Sequence, residues 1–529
     1  MPKFLNKKRS FGLIILGGAV GVFIIYWVLT YLTSAPSKQV TKRIKESERI
    51  SAGVTDYLNG LPRTQNVKLK ELFERAFSLY ETGEYTEAIY VFNSCLQLRT
   101  QEDERAAVLI LNGNCLILLG NPKQAEVQYR RSLVFADRVE NENAKAAAWG
   151  NLGLTYLIMG NLDSAQTYHE KALSISQKIL NPKQEAIQLG NLGVVFQNKR
   201  YLDKAVDCHQ EALEIFKEIG HPLGQINQLS HLGWIYQTQG SFDSSFAYYQ
   251  EALEISKKMG FAQGEANQLS NIGWAYQNKG DLDTALVYYL QALDIDKKTG
   301  FRKGEAQDLF TIGRVYEQKG NLDQALKKYK SSVKINRKTG FKSGEAIVLS
   351  SLGRVCQQQG YTEEALKSLS QAVALYGEMG NRQAEADLLH VIGLIYGTMG
   401  GLDSALHYFH EARLVYHEIG DGRDEVRELT NMAQIYRDRG NLREALKYYQ
   451  EALKITRASK DRHGEASTLS NIAYIYVTIG DSKEGLKLAR EALQIFQEIG
   501  AQNEAAAVAQ NIKKLEEVLK EAQKAKTKK

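Results

Sequence analysis

The sequence predicts an all-α solenoid of about eleven stacked helical hairpins, preceded by one transmembrane helix. Three observations predict it. A pattern of 40 residues recurs ten times from Leu111 to Gln510 without insertion or deletion. Fixed positions of that pattern hold the smallest side chains, as close helix crossings require. Residues 11–33 are 23 consecutive residues without a charge.

Composition agrees with this class. The chain has 529 residues and a mass of 59.4 kDa, with 43% hydrophobic and 24% charged residues and a mean hydropathy of −0.36. That balance excludes wholesale disorder and a multi-span membrane protein. Six prolines occur and none follows Pro222, which suits continuous helix–turn–helix structure. The net charge of +6 is carried by the ends: residues 1–50 hold nine Lys/Arg against two Glu, and residues 511–529 hold seven Lys against three Glu. The stretch between them is net acidic and offers no basic surface to a nucleic acid. Four cysteines without C-x-x-C spacing give neither a disulfide framework nor a zinc signature.

Residues 1–10 form a basic tail. The charge-free segment 11–33 makes a helix of roughly 35 Å, enough to cross a hydrocarbon core of about 30 Å. Tyr26, Trp27 and Tyr31 sit toward one end, where interfacial aromatics are favoured. Ala35-Pro36-Ser37 resembles a cleavage site, but the apolar core is too long for a signal peptide, so the anchor is expected to remain uncleaved. Gly17 and Gly21 form a G-x-x-x-G that would let two anchors approach closely. Lys3, Lys7, Lys8 and Arg9 lie nearer the span than Lys38, Lys42, Arg43 and Lys45 do. The expectation is therefore a single-pass membrane protein with its repeats on the outer, periplasmic or extracytoplasmic, side. Residues 34–69 read as a linker, and the solenoid as 70–510.

Within the repeat, the third position is Gly in eight of ten copies, from Gly113 to Gly393, with Ala433 and Ala473 in the others. The tenth is Gly in nine copies, Arg200 being the exception. The fifteenth and the twenty-second are Ala in eight copies each. Asn161, Asp281 and Asn321 follow the tenth-position glycine, where N-cap residues belong, and Asp163, Asp283 and Asp323 then occupy the first turn, where the helix dipole favours them. Gly280, and a second set at Gly220, Gly260, Gly300 and Gly340, can end helices in a left-handed conformation. Each copy is thus a helical hairpin that buries its apolar stripe only against its neighbours. A diverged copy with Gly83, Ala88, Phe92 and Cys95 precedes them. In residues 511–529, Ile512, Leu515, Leu519 and Ala522 make one apolar stripe on a charged helix, as a capping helix with a basic tail would.

The order Gly273, Tyr276, Gly280, Ala285, Tyr289, Ala292, with Trp149 in the opening aromatic slot, resembles the tetratricopeptide repeat. The period of 40 and the missing terminal proline resemble the longer form found in kinesin light chain, in regulators of heterotrimeric G proteins and in bacterial repeat proteins. The resemblance implies a right-handed solenoid that holds a protein or an extended peptide in a concave groove. One carry-over fails. Chaperone-tail clamps of the family pair a Lys with an Asn; here Asn114 fits the Asn slot, but Ile110 stands at the Lys slot.

No phosphate-cradling loop, H-E-x-x-H or G-x-S-x-G occurs. His407 and His410 lie one helical turn apart beside Glu411, but their positions carry varied polar residues elsewhere and read as a solvated face. His169, Cys208 and His209 fall at or beside an aromatic core slot, where the histidines read as buried and hydrogen-bonded rather than as zinc ligands, and Cys356 replaces a Tyr and reads as a small core residue. No catalytic residue, metal or cofactor is expected.

The first helix of each copy carries a second, polar stripe, shown by Asn267, Asn271, Trp274 and Asn278. By the family resemblance this stripe lines the groove. Trp234 and Trp274 share one slot 40 residues apart, which then becomes Arg314 and Arg354. Asn227, Asn267, Asn271, Gln237 and Gln277 accompany the tryptophans, and side-chain amides can pair with both N–H and C=O of a peptide. Trp and Arg are typical interface anchors. The expected function is a membrane-anchored, non-enzymatic scaffold for protein–protein interaction. The alternative is a self-associating structural or assembly protein of a membrane complex, a homo-oligomer joined through exposed stripes or the anchor.

Overall fold

The structure is a computed structural model that describes residues 67–98 and 100–527. The anchor expected at 11–33 and its flanks lie outside the described residues. Among those described, no helix is long and apolar enough to cross a membrane. The described residues form twenty-three α-helices, most of 17 or 18 residues. They pair as eleven antiparallel hairpins, with Gln502–Thr527 as a final unpaired helix. The chain divides into two compact units, one ending at Phe301 and the other beginning at Arg302.

At several turns one residue both ends a helix and starts the next. The Asp281 N–H closes the Ala262–Lys279 helix on the Tyr276 carbonyl at 2.9 Å, and its carboxylate then accepts from the Thr284 N–H at 3.0 Å. Asn161 and Asn321 repeat both bonds. The reversal needs a left-handed residue just before, and Gly280 supplies it at φ +94°. Arg200 and Leu180 take the same conformation at φ +63° and +54° despite their side chains. The geometry of the turn thus holds where the glycine is missing.

The small residues do what the repeat predicts. A Cβ on Gly273 would lie 3.0 Å from the Tyr289 ring and 3.1 Å from the Ala285 carbonyl. Ala285 and Ala292 are fully buried, as are Tyr129, Tyr249, Tyr289, Tyr329 and Tyr449 in the aromatic slot. Cys356 is fully buried as well, and burial pushes its thiol up to about 11. Apolar residues of each hairpin continue into the next: Leu253 and Ile272 share a cluster with Ala292 in the first unit, and Val333 and Leu352 one with Ala372 in the second. At the end, Ala505 and Ile512 are buried and Leu515 is half-buried; Ala505 packs with Leu469, Ile495 and Phe496.

Candidate functional site

The first helices of successive hairpins touch one another, Pro222–Thr238 against Ala262–Lys279 in the first unit and Arg302–Gln318 against Lys342–Gln358 in the second. Second helices make no approach of comparable extent among the described residues. The first helices therefore form the inner face of each unit.

In the first unit, Trp234 and Trp274 are half-buried at equivalent places on adjacent helices. Their indoles are neither core nor free surface, which suits anchors whose remaining area a partner would cover. Asn227 and Asn267, also half-buried, make no side-chain hydrogen bond among the described residues. Asn271 donates from Nδ2 to Gln268 Oε1 at 3.2 Å, and Ser230 Oγ donates to the same oxygen at 3.1 Å.

Gln237 and Gln277 are placed differently. The Tyr249 hydroxyl donates to Gln237 Oε1 at 3.2 Å, and the Tyr289 hydroxyl to Gln277 Oε1 at 2.9 Å. Gln237 is buried. These two amides brace the core tyrosines, so their oxygens are already engaged.

In the second unit, Arg314 and Arg354 are both exposed. Arg354 is bound to Glu317, a residue that sequence reasoning did not single out. A larger network lies further along. Glu428, fully buried, takes bonds from His390 Nδ1 at 3.0 Å and from Arg427 Nε at 3.0 Å. Arg427 also donates to Asp424 at 2.6 Å and to the Tyr416 hydroxyl at 2.9 Å.

Sequence reasoning also missed a buried amide row, Gln188, Gln228 and Gln268, spaced by 40 residues. That spacing was its signal. His169 Nδ1 sits 2.9 Å from Gln188 Oε1, and His209 Nδ1 sits 2.8 Å from Gln228 Oε1. Both rings are fully buried, and burial lowers both to about 4, so they are neutral core histidines. His231 stacks on His209, centroids 4.7 Å apart and planes 2° from parallel, and burial together with His209 drives it well below its usual value. His407 and His410 are exposed, and no group of three metal-ligating side chains is assembled among the described residues.

The model of the tetratricopeptide repeat family matches residues 144–218, 185–258, 225–298, 264–338, 306–378, 384–458 and 424–498. Among solved structures, the chain is similar to a signal-transduction ATPase with a tetratricopeptide repeat sensor from Pyrococcus horikoshii, at 16% identity and TM-score 0.46 over 79% of this chain and 67% of that one. It is also similar to aspartyl phosphate phosphatase F from Bacillus subtilis, at 14% identity and TM-score 0.43 over 66% of this chain and 94% of that one. A third is BtubC from P. vanneervenii, at 19% identity and TM-score 0.35 over 44% of this chain and 93% of that one. No curated protein matches. The matched repeats span well over half of the chain, and their hairpins, glycine turns and small-residue crossings are those of the structure, so the chain belongs to the tetratricopeptide repeat family.

Proposed function

We propose that this protein is a non-enzymatic scaffold that binds a protein through an extended segment laid along the inner face of its first helices. A single helix at 11–33 anchors it in a membrane, with the repeats on the outer side. The observation that carries the reading is the pair Trp234 and Trp274, half-buried at one slot of adjacent inner helices beside the unbonded amides of Asn227 and Asn267. Indoles give large contact area at little conformational cost, and the amides can satisfy a peptide backbone that leaves water. The Cys356 thiol is buried and raised to about 11, and the His209 imidazole is a neutral core group, so neither is an activated nucleophile or base.

The test uses the full-length protein in lipid nanodiscs. Cross-linking capture with mass spectrometry is run on wild type and on Trp234→Ala/Trp274→Ala, with thermal unfolding followed on both. Removing true anchors costs about 2 kcal/mol or more of binding, so the principal partner should vanish from the double variant. Its melting temperature should fall less than that of a variant truncated at core Tyr249. Undiminished capture by a folded double variant refutes the reading.

A further inference from the structure

In the first unit the four slots of the polar stripe carry no permanent charge, the nearest in line with them on their own helices being Asp103 and Lys183, one turn before the stripe. The polar stripe occupies four slots of each first helix. Across the five full-length hairpins of the first unit, from Glu102 to Thr299, none of those slots holds Asp, Glu, Lys or Arg. The last two helices present Asn227, His231 and Trp234, then Asn267, Asn271 and Trp274; in the three before them half of the slots are buried, and the half-buried ones are Leu118, Leu154, Ile158, Ile187, Asn191 and Asn198. His231 adds no charge near neutral pH, because its burial against His209 disfavours the imidazolium. The equivalent slots of the second unit hold Arg314, Arg354, Asp387, Arg427 and Asp438.

We infer that the first unit's inner face selects an extended polypeptide segment without charged side chains, held by backbone bonds to the unbonded amides and by apolar side chains against the indoles. This deepens the scaffold reading and rests on it. The physical ground is desolvation. An ionised side chain docked at the tryptophan end of this stripe, on the Pro222–Thr238 and Ala262–Lys279 helices, would lose water and meet carboxamides, indoles and the neutral His231 ring, with no opposite charge in the four slots to repay it. An uncharged segment pays no such cost, and Asn227 and Asn267 each offer one donor group and one acceptor to its main chain. Such binding owes little to long-range attraction and should respond weakly to salt.

The experiment pans a phage-displayed library of random dodecapeptides on the full-length protein, and separately on Trp234→Ala/Trp274→Ala. Peptides retained by wild type and lost on the double variant are sequenced and synthesised. The expected result is depletion of Asp, Glu, Lys and Arg relative to the starting library. Their affinity should change less than about twofold between roughly 50 and 500 mM salt. Asn267→Lys should weaken these peptides at least tenfold and, on fresh panning, recover acidic ones. If Trp-dependent peptides are charged, or their binding falls steeply with salt on wild type alone, the inference is overturned while the groove survives. If no peptide depends on the tryptophans, the groove reading fails and takes the inference with it.

Discussion

Arg354 reaches back one hairpin and grips both carboxylate oxygens of Glu317, with Nη2 at 2.9 Å from Oε2 and Nη1 on Oε1. Tyr329 donates its hydroxyl to the same Oε2 at 2.9 Å. Burial and then the neighbouring carboxylate push the Tyr329 hydroxyl far above its ordinary value, so it stays a donor. The paired guanidinium is therefore a strut between hairpins, and an acidic partner would have to displace Glu317 to use it fully.

A double-mutant cycle measures that strut. Arg354→Ala, Glu317→Gln and the double variant should give a coupling of about 1 kcal/mol, because the fork is bidentate but the arginine is half solvent-exposed. The coupling should shrink with added salt. Zero coupling in urea unfolding would mean that Arg354 is free for a ligand.

Helix crossing at the third position gives a second prediction. Gly273→Leu forces atoms against the Tyr289 ring and the fixed Ala285 carbonyl, which cannot both yield. The expected cost is about 1–3 kcal/mol. Wild-type stability in this variant would show that the Gly273 contact is not a packing constraint.

The local rules were legible because they repeat. Asn161, Asp281 and Gly280 declare turns through position alone, and the cap bonds and left-handed φ values follow. His169 and His209 were readable as buried because each occupies a slot that tyrosine fills elsewhere. What could not be read depends on neighbours a whole hairpin away or on rotamer choice. Glu317 precedes Arg354 by 37 residues and meets it only through stacking. Gln237 and Gln277 lie one turn beyond the tryptophans, yet point at Tyr249 and Tyr289 rather than outward.

The proposed anchor makes a third prediction. Residues 11–33 are long and charge-free enough to span a bilayer, so the full chain should stay with membranes through alkaline carbonate washing. Deleting those residues should release the repeats. Amino-terminal sequencing that begins at Lys38 would show a cleaved leader instead.

The last prediction concerns the two core histidines. Each is neutral in the fold, with a value lowered from 6.5 to about 4 by burial, whereas the unfolded chain takes up its proton near 6.5. The unfolded state therefore binds more protons in this window. Stability is complete above pH 6.5, falls as the pH drops toward 4, and levels off below, losing about 3 kcal/mol per histidine. His209 can be tested singly. Its Nε2 and both amide atoms of Gln197 are buried without a partner, whereas Tyr249 and Tyr289 in the same slot donate to Gln237 and Gln277. His209→Tyr should supply a hydroxyl to Gln197 but removes the bond to Gln228, so stability at pH 7.5 should stay within about 1 kcal/mol of wild type. At pH 5 the variant should keep about 2 kcal/mol more of its neutral-pH stability than wild type does, since one titrating group is gone. Urea midpoints at the two pH values read both effects. Equal pH slopes for wild type and variant would mean that the His209 ring is protonated or hydrated within the fold.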